Sequence, residues 1–352
     1  MKNFFFLLSV NHGAAYIFNS SHWSAIKESL KFYRAYTFKS KLQKSVLTYF
    51  LFLVGKFIPS VCRSKKGIKI YLKENINPDV DFNLDENSSV LISSTWDKVI
   101  VNHHAHYFHK FAFGKSFEKV KNESAIYKLL QYSKEFQVAS VMDLKIDEQL
   151  SSCNFKLVNP PVNTGHKLLE IDNLPEILVE FFNSTPQKRT VTLVDYIEGL
   201  LKRFHSLNLD AINGLPEYFA KINNEFHTET IPLGLVHRDF KPWNTLLRDT
   251  VLIFDFEEAI IDGPPLEDLL NYYIDPVIRY KSPNQVYDFL YSKEKVSEYT
   301  AYLKMSKITM SFEIFLVIYM LERIIFWTKE DELDTASRYK NLLNYILLNT
   351  KP

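Results

Sequence analysis

GLVHRDFKPWNTLLRDTVLIFDFEEAIIDGPPLED, residues 234–268, is the stretch on which the fold turns. The apolar run Leu233–Val236 reads as a strand, and Asp239 follows it directly. Asn244 comes five residues later and Asp255 a further eleven. Between them, Thr245–Leu247 and Val251–Phe254 flank the turn Arg248-Asp249-Thr250, which is a hairpin signal. A hairpin returns the Asn244 end and the Asp255 end to one edge. That edge then offers two carboxylates and an amide oxygen. Hard oxygen donors of this kind suit Mg²⁺, which takes a few protein oxygens together with substrate phosphates. Asp239 is left to act on a hydroxyl.

His237-Arg238-Asp239-Phe240-Lys241-Pro242-Trp243-Asn244 fits the H-R-D-x-x-x-x-N catalytic loop of kinases. Asp255-Phe256-Glu257 stands where protein kinases carry Asp-Phe-Gly. The Asp-Phe-Glu form and the Pro-Trp-Asn ending resemble the aminoglycoside phosphotransferase and choline kinase superfamily, in its bacterial members. No Ala-Pro-Glu or long activation segment follows, which argues against a protein kinase. The resemblance implies an ATP- and Mg²⁺-dependent phosphotransferase with an alcohol group as acceptor. In it, Asp239 aims the acceptor hydroxyl, with His237, Arg238 and Lys241 completing the catalytic loop. Asn244, Asp255 and, less directly, Glu257 hold the metal. Asp268, in Gly263-Pro264-Pro265-Leu266-Glu267-Asp268, holds the loop from behind through His237 or Arg238, or is a simple helix N-cap.

Upstream, the same resemblance asks for a strand lysine on the nucleotide phosphates and a helix glutamate to fix it. Lys110, in Tyr107–Phe113, and Glu123, in Ser116–Tyr132, fill those places. Read alone they would be a surface ion pair, and Lys128 competes for Glu123. Where a glycine-rich loop is expected, Ser93-Ser94-Thr95-Trp96-Asp97-Lys98 contains no glycine. Ser94 and Thr95 would there meet phosphate through backbone N–H groups and a hydroxyl. Glu170 and Ile171, at the end of the strand His166–Ile171, would form the adenine-contacting hinge. His205 matches a histidine common in the superfamily and reads as a packed core residue. His103, His104, His106 and His109 crowd one strand region without a cysteine or carboxylate cluster to make a metal site.

The wider chain gives the frame. Its 352 residues are 46% hydrophobic and 24% charged, with 9 Gly and 14 Pro, a globular composition that excludes a disordered or collagen-like chain. Cys62 and Cys153 are too few for a disulfide framework, so a cytoplasmic setting is expected. Residues 1–72 hold 12 basic residues against one acidic, a charge of +11, while the remaining 280 residues carry −10. Such asymmetry marks a segment with an anionic partner. Val46–Val54 within it lacks charge but is far short of a spanning helix, which leaves a core helix with a solvated basic face, an anionic membrane surface or, least of all, nucleic acid as readings. MKNFFFLLSV imitates a signal peptide but reads as a buried first strand paired with Ala15–Phe18.

Strands are expected at Ile68–Leu72, Val90–Ser93, Lys98–Asn102, Tyr107–Phe113 and Phe136–Leu144. Helices are expected at His22–Phe57, Ser116–Tyr132, Thr192–Leu207, Leu215–Phe226 and, buried, Ile308–Lys329. The result is an α+β chain with a two-lobed, protein-kinase-like fold: a basic N-terminal extension (1–85), a strand-rich nucleotide-binding lobe (86–174) and a mostly helical catalytic lobe (175–352). Three functions compete. One is a saccharide kinase of surface-polysaccharide biosynthesis, motivated by the basic, partly apolar first residues. Another is a choline or ethanolamine kinase, for which the 15% aromatic content could supply a cage. The last is a non-catalytic kinase-like scaffold that binds glycan or membrane.

Overall fold

The structure is a computed structural model that describes residues 4–9, 15–20, 23, 26–27, 30, 38–77, 82, 84, 88–93, 95, 97–103, 107–158, 171, 173–185, 189–209, 211–247 and 250–349. The chain divides into two compact units, Met1–Gln131 with Val138–Val162, and Tyr132–Gln137 with Asn163–Pro352. A strand-rich first unit and a mostly helical second unit make up the α+β, kinase-like plan expected from the sequence.

The first unit is built on one antiparallel sheet. In chain order its strands are β1 (Phe4–Ser9), β2 (Ala15–Asn19), β3 (Arg63–Ser64), β4 (Ser89–Ile92), β5 (Lys98–His103) and β6 (Tyr107–Phe113). After β7 (Phe136–Val138), where the chain passes between units, come β8 (Ser140–Asp147) and β9 (Ser152–Val158). The spatial order is β3-β1-β2-β4-β5-β6-β9-β8. The expected pairing of the first strand is present, with Phe6 opposite Phe18 and Leu8 opposite Tyr16. In β9, Cys153, Phe155 and Leu157 are buried in strict alternation, which marks a strand with one face in the core. Phe5, Ile17, Val90, Val99 and Phe111 build that core.

Two helices close this core from the N-terminal segment. Lys65–Asn75 is a helix, which corrects the strand expected at Ile68–Leu72. Ser64 caps it by accepting a hydrogen bond from the Gly67 N–H at 3.1 Å, and Ile68 and Leu72, one turn apart, are its buried face. The helix Phe38–Phe57 lays Leu51 against Phe18, Ile26 and Leu30. Gly55 lets it approach β2, because a Cβ there would stand 2.1 Å from the Ser20 carbonyl oxygen. Cys62 and Cys153 are both free thiols.

The second unit holds two small sheets within a helical body. Strands β10 (Arg189–Thr192), β11 (Thr230–Val236) and β14 (Ile260–Gly263) form one. The hairpin β12 (Thr245–Leu247) and β13 (Val251–Ile253), extended by β7, forms the other. Helices Leu193–His205 and Leu215–Glu225 fall where helical periodicity put them. The strand β11 carries a register shift between Gly234 and Val236, and a Cβ on Gly263 would stand 2.0 Å from a Val236 methyl. That irregular, close-packed strand end is where the loop His237–Asn244 begins. Helix Phe312–Lys329 is buried along nearly its whole length, including Glu322 and Arg323. No helix among the described residues is long and apolar enough to cross a membrane.

Candidate active site

The loop His237–Asn244 leaves β11 at Val236 and is held in an unusual backbone. Arg238 has φ 62° and Asp255 φ 73°, both in the left-handed region that non-glycine residues rarely occupy. Such conformations persist where the surroundings over-determine them, and they cluster at functional sites. The surroundings here are specific. The Asp268 carboxylate accepts the His237 N–H at 2.7 Å and the Arg238 N–H at 2.9 Å. Asp268 therefore holds the loop from behind, as the resemblance implied. Leu266, just before the Glu267–Ile278 helix, is itself left-handed at φ 63°.

The His237 ring is wholly buried against Phe240 and Phe256. Its Nε2 lies 3.0 Å from the Phe254 carbonyl, and its Nδ1 faces the Asp239 N–H at 3.3 Å. One neutral tautomer serves both contacts, with Nε2–H donating and Nδ1 accepting. The Phe254 N–H in turn donates to the Asn244 carbonyl at 3.2 Å. The residue before Asp255 is thus tied to both ends of the loop. His237 positions the site; it does not face outward to do chemistry.

Burial lowers the His237 pKa below its ordinary 6.5. The unfolded chain binds a proton near 6.5 that the folded ring refuses, so this contribution to stability is full above that pH and is lost as pH falls below it. His109, pushed down to about 4 by burial, acts in the same direction. Melting temperature should therefore fall on acidification below about 6.5, and His237→Gln should flatten part of that slope, leaving the share of His109. Parallel curves for wild type and variant would count against the buried neutral ring.

Asp239 and Asn244 are joined directly. The Asn244 side-chain NH₂ donates to Asp239 Oδ2 at 2.8 Å and to the Asp239 carbonyl at 2.9 Å. Both amide hydrogens are committed, so the oxygen is the end of Asn244 that can meet a cation. Asp255 and Glu257 add half-buried carboxylates. An amide oxygen and two carboxylates fit Mg²⁺ by donor chemistry. Lys241, nearly buried, lies 2.5 Å from Asp239 Oδ1 and 3.0 Å from Asp275 Oδ2. Its ammonium also sits over the rings of Trp243 and Trp327, at 5.5 and 5.7 Å. Arg238 turns its side chain away, toward Glu267 at 3.3 Å and Glu322 at 3.8 Å.

Several of these residues were not singled out from the sequence. Arg323, fully buried, donates to the Arg238 carbonyl at 2.8 Å. Asn271 donates to the Phe240 carbonyl at 3.2 Å and accepts from Tyr319, and Tyr339 donates to Asp275. Glu322 takes a bidentate bond from Arg203 and another from Tyr196. The signal available was a Glu322-Arg323 pair inside an otherwise apolar helix, since buried charges are retained only when paired.

In the first unit, Lys110 on β6 and Glu123 on the Phe117–Leu130 helix meet as a buried pair at 2.7 and 2.8 Å. Lys128, the possible competitor, is exposed. Ser94 and Glu170 lie outside the described residues; Ile171 is buried. The Thr95 hydroxyl bonds to the Asp97 carboxylate, which Ser93 also reaches at 3.2 Å. Burial would raise the Asp97 pKa, but hydrogen bonds from Thr95, Ser116 and Ser93 outweigh it and hold the group below its ordinary value. His103 bonds Ser88 through Nδ1 at 3.2 Å, while His104 and His106 lie outside the described residues. His205 is exposed at a helix end, which corrects the expected core position.

Comparison with known proteins gives a sequence match to the phosphotransferase enzyme family over residues 165–299. No curated protein matches the chain. Among solved structures, similarity is found to a candidate aminoglycoside phosphotransferase from Ralstonia eutropha JMP134, at 9% identity over 81% of this chain and 98% of that one, TM-score 0.49. Choline kinase LicA from Streptococcus pneumoniae gives 15% identity over 80% and 99%, TM-score 0.47. Aminoglycoside phosphotransferase APH(4)-Ia, solved with ADP and hygromycin B, gives 14% over 81% and 99%, TM-score 0.45. The loop His237–Asn244, the hairpin and Asp268 all lie inside the stretch, residues 165–299, that is similar to the phosphotransferase enzyme family.

Proposed function

We propose that this chain is a cytoplasmic kinase that moves the γ-phosphate of ATP to a hydroxyl of a small saccharide in surface-polysaccharide biosynthesis. The observation that carries the phosphotransferase reading is the Asp239–Asn244 pair, fixed at 2.8 Å on a loop anchored by Asp268. Asp239 accepts a hydrogen bond from the acceptor hydroxyl and aims it at phosphorus. Lys241, already paired to Asp239, offsets charge on the transferring group. Lys110, fixed by Glu123, holds nucleotide phosphates, with Thr95 and Ser94 at the phosphate loop and Glu170 and Ile171 at the adenine. Asn244, Asp255 and Glu257 would hold Mg²⁺, which supplies charge neutralisation to the phosphates when bound.

The acceptor assignment rests on the aromatic residues beside Asp239. A cage for a quaternary ammonium needs ring faces open to a cation. Here Lys241 lies over Trp243 and Trp327, and Arg279 and Arg323 lie over Trp327 at 5.7 and 5.0 Å. The protein's own cations occupy those rings, which favours a neutral polyol over choline or ethanolamine. Lys241, whose ammonium lies beside the partly exposed Asp239 carboxylate, provides a hydrogen-bond partner for its hydroxyls. As a partner for the basic residues 1–72 we assign an anionic membrane surface, at its cytoplasmic face, where lipid-linked saccharides are assembled.

Thermal-shift titration with ATP and Mg²⁺ tests the nucleotide half of the reading. Stabilisation that grows with ATP is expected, of about 2.7 kcal/mol at a hundred times the dissociation constant. A flat response at millimolar ATP would favour the non-catalytic scaffold. A panel of sugars, choline and ethanolamine, scored by nucleotide turnover, tests the acceptor; turnover with the amines alone would overturn the saccharide assignment.

A further inference from the structure

The helix Phe38–Phe57 has two apolar faces, one buried and one largely exposed. Leu51 and Val54 are buried, with Leu47 and Phe52 partly so against the β1–β2 cluster. Outward from that cluster stand Leu42, Val46, Tyr49, Phe50, Leu53 and Phe57, each 45–66% exposed, with Phe50 touching Phe6 at its edge, centroids 5.5 Å apart. Their spacing of three and four residues sets them along one stripe. Ile58 and Val61 continue it beyond the helix end, both exposed. Six large apolar side chains in one row exceed the scattered apolar residues that an ordinary surface carries, and such a patch marks an interaction site.

The charge around the stripe selects the occupant. Residues 38–73 contain nine basic residues and no acidic one. Lys56 lies over the rings of Phe52 and Phe57, at 5.7 and 5.2 Å, and Lys27 over Trp23 at 5.4 Å. Trp23 packs on Tyr49 and on Phe52, each with centroids 5.4 Å apart. Amphipathic aromatics beside lysines whose stems cover apolar surface are the composition of a helix lying in a lipid interface. A second copy of the chain would bring two uniformly basic faces together, which like-charge repulsion opposes. Phosphate-backbone binding to nucleic acid would use the cations but leave the stripe in water.

We infer that the Leu42-Val46-Tyr49-Leu53-Phe57 stripe and its flanking lysines form an amphipathic face that docks on an anionic lipid bilayer. The inference deepens the membrane-partner assignment above and rests on it, while standing apart from phosphoryl transfer. The stripe enters the headgroup–acyl boundary, and the basic residues meet the anionic headgroups. Binding therefore needs both halves and weakens with salt.

The test is co-sedimentation of the full chain with vesicles of phosphatidylcholine alone or mixed with phosphatidylglycerol. Wild type should pellet with the mixed vesicles, release as salt rises, and stay in solution with phosphatidylcholine alone. Val46→Asp with Leu53→Asp should weaken that partition by at least ~10-fold, with circular dichroism and melting unchanged because both positions are exposed. Lys65→Glu with Lys66→Glu should weaken it too, through charge alone. If wild type and the Val46/Leu53 variant pellet equally, the stripe is not the docking face, although the membrane-partner assignment survives. If wild type ignores anionic vesicles, both fall. A concentration-dependent dimer that the Val46/Leu53 variant abolishes would overturn the inference in favour of a second copy.

Discussion

If the proposed function holds, replacing Asp239 by alanine is expected to lower phosphoryl transfer by at least ~100-fold and to leave the fold intact, the scale expected when a positioned base is removed. The fold should survive because the carboxylate is 27% exposed and is not what holds the loop. Asn244 keeps its second acceptor, the Asp239 carbonyl at 2.9 Å. Asp268 keeps the His237 and Arg238 N–H groups, and Arg323 keeps the Arg238 carbonyl. Lys241 loses one carboxylate at 2.5 Å but retains Asp275 at 3.0 Å. The loss should therefore appear in kcat, with the nucleotide KM changed little, because an interaction made mainly in the transition state has been removed. Asp255→Ala should fall by a similar factor while raising the Mg²⁺ concentration needed for turnover. Measurement is by nucleotide turnover with the acceptor found in the panel, beside a melting curve. Near-wild-type turnover in Asp239→Ala would remove the mechanism. A collapsed melting curve would mean that the carboxylate holds the loop after all.

The parts of this site that could be read from the sequence are those whose geometry is local. Asp239, Asn244 and Asp255 lie within seventeen residues of one another, and a loop and a hairpin fix their spacing. Asp268 follows at the next helix. Lys110 and Glu123 were legible only through the resemblance, since read alone they would be a surface ion pair; a strand, a short turn and a helix bring them together within thirteen residues. The residues that brace the loop were not legible, because they arrive from distant helices. Arg323 reaches Arg238 across eighty-five residues, and Glu322 reaches Arg203 across one hundred nineteen. Only tertiary packing makes those contacts, and no local period announces them.

The misread elements follow the same line. At Ile68-Lys69-Ile70-Tyr71-Leu72 the alternation suggested a strand, yet Ile70 is exposed while Ile68 and Leu72 are buried a turn apart. Five residues satisfy either period, and the deciding signal was Ser64, placed to cap a helix. Ser152–Val158 shows a clean two-residue alternation that matches its strand. His205 sits at the exposed last position of its helix, where the family likeness alone suggested a core. In the N-terminal segment the sequence showed charge and an apolar run, but which side of the helix would remain uncovered depended on where β1 and β2 packed.

Glu123→Ala is expected to cost about 3–5 kcal/mol of stability, because it removes the carboxylate whose two oxygens both face the buried Lys110 ammonium. Glu123 is fully buried, Lys110 is 7% exposed in its side chain, and both carboxylate oxygens face the ammonium, at 2.7 and 2.8 Å. The burial makes the case unlike a surface pair, whose removal costs about 0–1 kcal/mol. Against a total stability of about 5–15 kcal/mol, the loss is large enough to shift urea unfolding plainly. The double variant Lys110→Met with Glu123→Leu separates structure from function. It removes both charges and keeps apolar volume, so much of the lost stability should return. Nucleotide turnover should not return with it, since no ammonium remains for the phosphates. Recovery of both would make the pair a structural ion pair and nothing more. A single Glu123→Ala variant within ~1 kcal/mol of wild type would show instead that water reaches Lys110, and that its charge is held in place by something other than Glu123.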